Sequence, residues 1–252
     1  MELKVWKAEL KEILPLRKLF LEENHFQIRY NACHERNWSD SYLFTIDASS
    51  IGYGSIKGKD DLKDRDTVFE FFVVAQYRSL ASQIFSELIK ISGAAYVESQ
   101  SNELLCTRML YEFGRDIRSD VILFKDSVAT ERSIPHTIFR LRAQEDIIFH
   151  HALEPVGEYL LEQNKKIVAT GGFMLHYNLP FVDLYMEVDE DYRKMGLGSF
   201  LHQEIKKECY KSGRIPAARC NIQNKASQAT LLKAGLAVAG FMLEGVIKNI
   251  EA

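Results

Sequence analysis

Two stretches of this chain repeat one pattern in one order, so whatever fold it adopts must accommodate that pattern twice. The first is "TVFEFFVVAQYRSLASQIFSELIKISG", starting at Thr67, and the second is "FVDLYMEVDEDYRKMGLGSFLHQEIKKECYKSG", starting at Phe181. Each passes from a β-rich run through a short polar stretch and a Tyr-Arg pair into an amphipathic helix closed by glycine. Tyr192-Arg193 stands 115 residues after Tyr77-Arg78. A second echo follows each copy, with Asn102 and Asn224 both placed ahead of a further helix. Internal similarity at this spacing reads as a duplicated domain. A chain of 252 residues has room for two domains of about 125 residues each. The expected division is 1–130 and 131–252, joined near "DSVATERSIPH", Asp126–His136.

The elements within each half follow from periodicity. In the first half, strands are expected near Leu3–Trp6, Tyr42–Ile46, Ile51–Ile56, Val68–Val74, Ala95–Glu98 and Val121–Phe124. Helices are expected around Ile13–Leu21, Ala81–Ile91 and Glu103–Glu112, and Asp47–Ser50 reads as a hairpin turn. The second half offers strands at Ile138–Leu141, Tyr159–Glu162, Ile167–Gly172, Val182–Val188, Ala218–Asn221 and Phe241–Ile247. Its helices cover Phe200–Lys211 and Ser227–Ala234; the first stacks Leu201, Ile205 and Cys209 on one face and stops at Gly213. Hairpins followed by alternating strands and helices predict an α/β chain, with a mixed, mostly antiparallel sheet flanked by helices in each domain.

Composition narrows the partners. A net charge of −3 gives no basic footprint for nucleic acid or an anionic membrane. The N-terminal run mixes charges into its apolar residues, unlike a signal peptide, and no apolar run approaches the ~20 residues that cross a bilayer. Cys33, Cys106, Cys209 and Cys220 lack CxxC pairing and zinc spacing to histidine, so reduced thiols in a cytoplasmic protein and no metal are expected. A small-molecule or peptide partner, and a monomer or homodimer, fit that picture.

The segment that calls for explanation is "DYRKMGLGSFL", Asp191–Leu201, which places two glycines where a helix should begin. A dinucleotide fingerprint would need a third glycine at Leu201, and a phosphate loop in "GYGSIKGKDD" fails on spacing, with hairpin glycines explaining Gly52, Gly54 and Gly58. What survives is "RKMGLGS", following a strand and opening a helix. First-turn amides carry partial positive charge and lack intrahelical partners, so they can satisfy an anion. Gly196 and Gly198 would let a pyrophosphate approach them, while Arg193 and Lys194 add full charge. A surface turn whose cations are merely solvated is the competing reading.

With those residues in view, "MEVDEDYRKMGLGSFL" resembles the acyl-CoA-binding signature of the GNAT superfamily of N-acetyltransferases, Arg/Gln-x-x-Gly-x-Gly/Ala after a strand ending in valine. The downstream "NIQNKASQATLLKAGLAVAGFMLEGVI" is similar to that family's second conserved region, and the resemblance spans about Thr137 to Ile247. It implies that acetyl-CoA is the acyl donor and that its diphosphate meets Arg193, Lys194, Met195, Gly196, Leu197, Gly198 and Ser199. It further implies that the strand bearing Met186 and Val188 splays from its neighbour and offers backbone groups to the pantetheine arm, with the Val188 amide polarising the thioester carbonyl. Asn224 and Ser227 would contact the same arm; Asn224 is equally readable as a helix cap. The first half has Ala81, Ser82 and Gln83 at the glycine positions and reads as a copy without cofactor.

The implied reaction is transfer of an acetyl group to a primary amine by direct attack in a ternary complex. A base must take the amine proton, and Glu187 and Tyr185 are the candidates, although they share the strand face opposite Val182, Leu184, Met186 and Val188. Family members commonly carry an acidic tyrosine near position 231, where this chain has Leu231. That departure, with the apolar strand face, keeps open a non-catalytic acyl-CoA-binding or sensing module. His150, His151 and His176 read as surface or packed histidines unless a partner appears in three dimensions.

Overall fold

The computed structural model describes residues 2–24, 29, 31–152 and 155–248. The first half contains β1 (Leu3–Ala8), α1 (Leu10–Asn24), α2 (Asn31–Glu35), β2 (Ser39–Ile46), β3 (Ser49–Lys57), β4 (Thr67–Val73), α3 (Ala81–Ser92), β5 (Tyr96–Gln100), α4 (Leu104–Phe113) and β6 (Gly114–Asp126). The second contains β7 (Thr137–Leu141), β8 (Tyr159–Gln163), β9 (Lys166–Met174), β10 (Phe181–Val188), α5 (Leu197–Lys211), β11 (Ile215–Asn221), α6 (Lys225–Lys233) and β12 (Leu236–Ile247). The expected strands and helices are all present. Sequence reading missed α2 and the first seven residues of β6, Gly114 to Asp120.

Contacts divide the chain into two compact units, and the chain passes between them more than once. One unit holds the chain up to Val121 and resumes at Gly240; the other runs from Ile122 to Ala239 and includes Arg29. The sequence-based division at 130/131 assigned all of β12 to the second half, whereas the contacts assign Gly240 onward to the first. The physical reason is pairing: β12 lies antiparallel to β5, with Glu244 opposite Glu98 and Val246 opposite Tyr96.

In the first unit the strands run β1-β2-β3-β4-β5-β12, antiparallel except for β4 and β5. Asp47 and Ala48 are both left-handed, so the β2–β3 hairpin turns in the sense that matches strand twist. β2 alternates its side chains between two cores. Leu43 joins Ile13, Leu16 and Phe20 of α1, and Phe44 joins Ile84, Phe85 and Leu88 of α3.

In the second unit the order is β6-β11-β10-β9-β8-β7, with β7–β8, β8–β9 and β9–β10 antiparallel and β10–β11 parallel. Leu201, Ile205 and Cys209 of α5 are fully buried against Val168, Val182 and Leu184, with Leu231 of α6 in the same core. Where the first unit inserts α1 and α2 between its first two strands, the second has residues 142–152 and 155–158, outside any helix or strand, between β7 and β8. Helices therefore flank both sheet faces in the first unit and one face in the second, among the described residues. No helix of the described residues is long and apolar enough to cross a membrane.

Candidate active site

The site is built where β10 leaves its parallel neighbour. The β10–β11 ladder contains only Phe181–Ile215, Val182–Pro216 and Asp183–Ala217. Beyond Asp183 the strands diverge, while β10 stays paired to β9 as far as Val188. The Asp189 amide donates to Val168 O, which makes the odd-numbered residues of β10 the ones bonded to β9. Leu184, Met186 and Val188 consequently direct their N–H and C=O groups into the splay. Side chains alternate independently of this: Met186 packs on α5, and Asp183, Tyr185 and Glu187 face the other way.

The chain then makes a 3-10 turn, Glu190–Tyr192, capped by the Asp189 carboxylate, which accepts from the Asp191 amide. Lys166 pairs with Asp189 at 3.3 Å and lies 4.7 Å from the Tyr192 ring centroid. Arg193 Nε donates to Val188 O at 3.3 Å, so this cation is tied back to the end of the strand while half its side chain stays in solvent. Lys194 and Gly196 are left-handed, with φ of 66° and 84°. Gly196 is the N-cap of α5 and supplies no side-chain cap; the Ser199 hydroxyl donates to Gly196 O rather than serving an amide. The first intrahelical bond is Phe200 N to Gly196 O. Leu197 and Ser199 are 1% and 3% exposed, so this helix presents first-turn amides without protein acceptors at a largely buried end, which is how an anion site is made.

The two glycines have different reasons to exist. A Cβ at Gly196 would meet only Ile134 Cδ1, at 4.0 Å, so that side of the turn is open. A Cβ at Gly198 would lie 2.9 Å from Met186 Cε and 3.1 Å from Thr230 Cγ2. Gly198 therefore lets helix, strand and α6 pack closely. The sequence reading gave both glycines to the anion, and the structure gives a packing duty to the second. Met195 is exposed beside them. Open space at Gly196, unengaged amides and the unpaired edge of β10 together fit a linear molecule with an anionic head.

Asn224 caps α6, its Oδ1 accepting from the Ser227 amide at 3.0 Å. That bond joins the two residues expected to touch the pantetheine arm. Leu231, at the position expected to hold an acidic tyrosine, is buried in the core at 1% exposure.

The expected catalytic side chains are both engaged. Glu187 accepts from the Ala152 amide at 3.0 Å, holding the Arg142–Glu158 segment to the sheet. The same segment is fixed by His151 Nε2 at 2.7 Å from Thr170 Oγ1, with Phe149 stacked on the His151 ring. Tyr185 lies flat over Gly172, where an added Cβ would meet the phenol oxygen at 2.7 Å. It thus leans toward β9, away from the splay, and burial with the charge of Glu158 pushes its phenol above the usual value. A phenol so biased holds its proton.

What sequence reading did not assemble is the cluster around Asp183, which is 4% exposed. Its Oδ2 lies 3.2 Å from His176 Nε2 and 3.5 Å from Arg219 Nε. Parity placed Asp183 on this face, but nothing in the sequence brings His176 or Arg219 to it. Among the described residues, no three His, Cys, Asp or Glu side chains converge on a metal position.

Comparison with known proteins matches residues 124–236 to the acetyltransferase (GNAT) family. The fold is similar over the whole chain to an acetyltransferase from the GNAT family of Colwellia psychrerythraea, at 13% identity and a TM-score of 0.73, covering 98% of this chain and 100% of that one. A GCN5-related N-acetyltransferase from Sphaerobacter thermophilus aligns at 11% identity and a TM-score of 0.61, covering 99% and 98%. A tandem GNAT protein from the clavulanic acid biosynthesis pathway aligns at 9% identity and a TM-score of 0.55, covering 99% and 100%. At such identities the likeness is one of fold. No curated protein sequence matches significantly.

Proposed function

We propose that the second unit of this chain, where residues 124–236 match the acetyltransferase (GNAT) family, transfers an acetyl group from acetyl-CoA to a primary amine by direct attack in a ternary complex. One observation carries the reading: the unpaired edge of β10, with Met186 and Val188 directing backbone groups into the splay, meets the uncapped start of α5.

The residues divide the work by chemistry. The amides of Leu197, Gly198 and Ser199 and the charges of Arg193 and Lys194 receive a diphosphate, with Met195 and Gly196 shaping the turn. The Met186 and Val188 backbone holds an amide-bearing arm, and an N–H donor at a thioester carbonyl stabilises the charge that develops there. Asn224 and Ser227 fix the end of α6 beside the arm. Acetyl-CoA supplies an activated acyl group on a thiol whose pKa, about 8.5 for a simple thiol, allows departure as thiolate without the tyrosine that Leu231 replaces. Glu187 and Tyr185 border the acceptor face. Glu187 anchors the segment lining it, and Tyr185 offers a phenol that stays protonated.

Calorimetry with acetyl-CoA, followed by thiol release with spermidine, a lysine peptide and an aminoglycoside, tests the proposal. Binding with amine-dependent release supports it, and absence of binding heat refutes it. Tight binding without release from any of these amines favours the second reading, a non-catalytic acyl-CoA module, for which the buried Leu231 speaks.

A further inference from the structure

Residues 127–136 join β6 to β7 without a helix or strand of their own, yet side chains of α5 hold them in place. Buried Lys206 donates to Val128 O at 2.8 Å. Nearly one turn closer to the start of that helix, the Gln203 amide grips the Arg132 backbone twice. Its Oε1 accepts from the Arg132 N–H at 2.7 Å and its Nε2 donates to Arg132 O at 3.0 Å. Gln203 is itself buried, so a buried side chain is committed to one exposed residue. Two residues on, Ile134 borders the open side of Gly196. The segment therefore runs along α5 toward the anion turn. Arg132 is held by its side chain as well, Nε donating to Lys233 O at 3.0 Å at the end of α6. Its terminal nitrogens have no protein partner among the described residues. The neighbouring Glu204 carboxylate is taken by Lys207 at 2.6 Å and by Gln203 Nε2 at 2.8 Å. Gln203 follows Ser199 by four residues, and Lys233 follows Thr230, which packs on Gly198, by three. Both anchors thus lie about one helical pitch, ~5 Å along either helix, beyond the residues that border the anion turn.

We propose that Arg132 binds the 3′-phosphate of coenzyme A, with Gln203 as its positioning residue, and so makes the site prefer the intact cofactor over thioesters lacking that group; this rests on the acetyltransferase reading above. The diphosphate and the 3′-phosphate hang from O5′ and O3′ of one ribose, a span comparable to one helical pitch. The pantetheine arm leaves the diphosphate along β10, and the ribose leaves its other end. A guanidinium whose Nε is already engaged offers its two terminal nitrogens as a planar fork, which matches two phosphate oxygens. The Gln203 clamp and the Lys233 carbonyl fix that fork in advance, so little side-chain freedom is lost when the phosphate arrives. Arg193, by contrast, is tied to Val188 O at the end of β10, on the side of the turn where the arm departs.

Calorimetric titration with acetyl-CoA and with acetyl-3′-dephospho-CoA, identical but for that phosphate, tests the proposal. The wild type is expected to bind acetyl-CoA about 10- to 100-fold more tightly. Arg132→Gln is expected to bind the two alike, at the wild-type affinity for the dephospho compound, and Gln203→Leu to lose most of the preference. Misfolding weakens both ligands whereas loss of this contact weakens one, so the paired titration separates them. In the wild-type complex the phosphorus resonance of the 3′-phosphate is expected to titrate at lower pH than in free acetyl-CoA, because a neighbouring cation favours the dianion. Equal wild-type affinities, a preference that survives either substitution in full, or an unshifted phosphate titration each overturn the proposal and leave the acetyltransferase reading intact. Failure of the wild type to bind either ligand overturns the acetyltransferase reading itself.

Discussion

The two units solve the same topology with opposite treatment of one strand. β4 and β10 each close a run of four antiparallel strands, and each begins a short parallel ladder and then parts from its neighbour. Each is followed by a Tyr-Arg pair whose arginine Nε donates to the carbonyl five residues earlier, Arg78 to Val73 at 3.0 Å and Arg193 to Val188 at 3.3 Å. The duplication is thus preserved down to one hydrogen bond. The helix starts differ. In the first unit a continuous 3-10 turn, Ala75–Leu80, runs into α3, the Ala81 amide bonds to Arg78 O, and no residue of the turn is left-handed. In the second, two left-handed residues interrupt the turn and the amides of α5 are left over. The acceptor face differs as well. At the position of Tyr185 the first unit has Glu70, fully buried, which accepts from Arg17, His34 and Tyr53. Arg17 comes from α1 and His34 from α2, two helices with no counterpart among the described residues of the second unit. The first unit has filled its face with its own charges, and the second has left its own face to an irregular segment.

The largest effect that would break this contrast is expected at Glu70. Glu70→Gln removes the charge facing buried Arg17 and should destabilise the first unit by about 3–5 kcal/mol, read as a lowered unfolding midpoint. Tyr185→Phe at the equivalent strand position is expected to stay within about 0.5 kcal/mol. Equal losses would refute the idea that only one face is plugged.

Acid should separate the units next. Burial, with the charge of Lys206 beside it, lowers the His202 imidazole to about 4. Its unfolded counterpart titrates near 6.5, so the second unit loses stability as pH falls from about 6.5 toward 4, by roughly 3 kcal/mol at most. Arg17 and His34 overcome burial and hold the Glu70 carboxyl well below its ordinary range. The first unit therefore keeps that contribution above about pH 4.3 and loses it only below. Hydrogen exchange across this pH range distinguishes the two, and His202→Leu should flatten the higher window.

Binding stoichiometry comes third. Gly196→Val places a branched residue at φ 84° in the anion turn and should weaken acetyl-CoA at least about 100-fold, equivalent to ~2.7 kcal/mol, with folding retained. The counterpart change belongs at exposed Gln83, because Ala81 is fully buried in the first unit's core. Gln83→Val is expected to leave one site per chain with unchanged affinity. The smallest loss is expected from Asn224→Ala, setting aside the two control changes Tyr185→Phe and Gln83→Val; it removes the α6 cap and should lower stability by about 1 kcal/mol.

Much of this was legible because apolar periodicity is a local signal. The α5 stripe of Leu201, Ile205 and Cys209, the hairpin at Asp47 and the terminator Gly213 follow from neighbours a few residues apart. α2 escaped because five residues, "NACHE", offer barely one helical turn of pattern. The start of β6, "GRDIRSD", escaped because its side chains are mostly polar and exposed, so only pairing makes it a strand. Gly198 was assigned to the anion because spacing cannot reveal that Met186 and Thr230 close over it.

The amino-acid sequence by itself determined the duplication, the alternation of strands and helices, and the turn in which Gly196 opens a helix, since each depends on chemistry within one or two turns of chain. Only the tertiary structure decided that the last strand completes the first unit, that Glu70 is neutralised from α1 and α2, and that His176, Asp183 and Arg219 share one carboxylate. Those outcomes join residues from seven positions apart, His176 and Asp183, to well over a hundred, as in β5 and β12. Which partner a strand edge or a buried charge finds is a property of packing and desolvation over the whole unit, which no local pattern encodes.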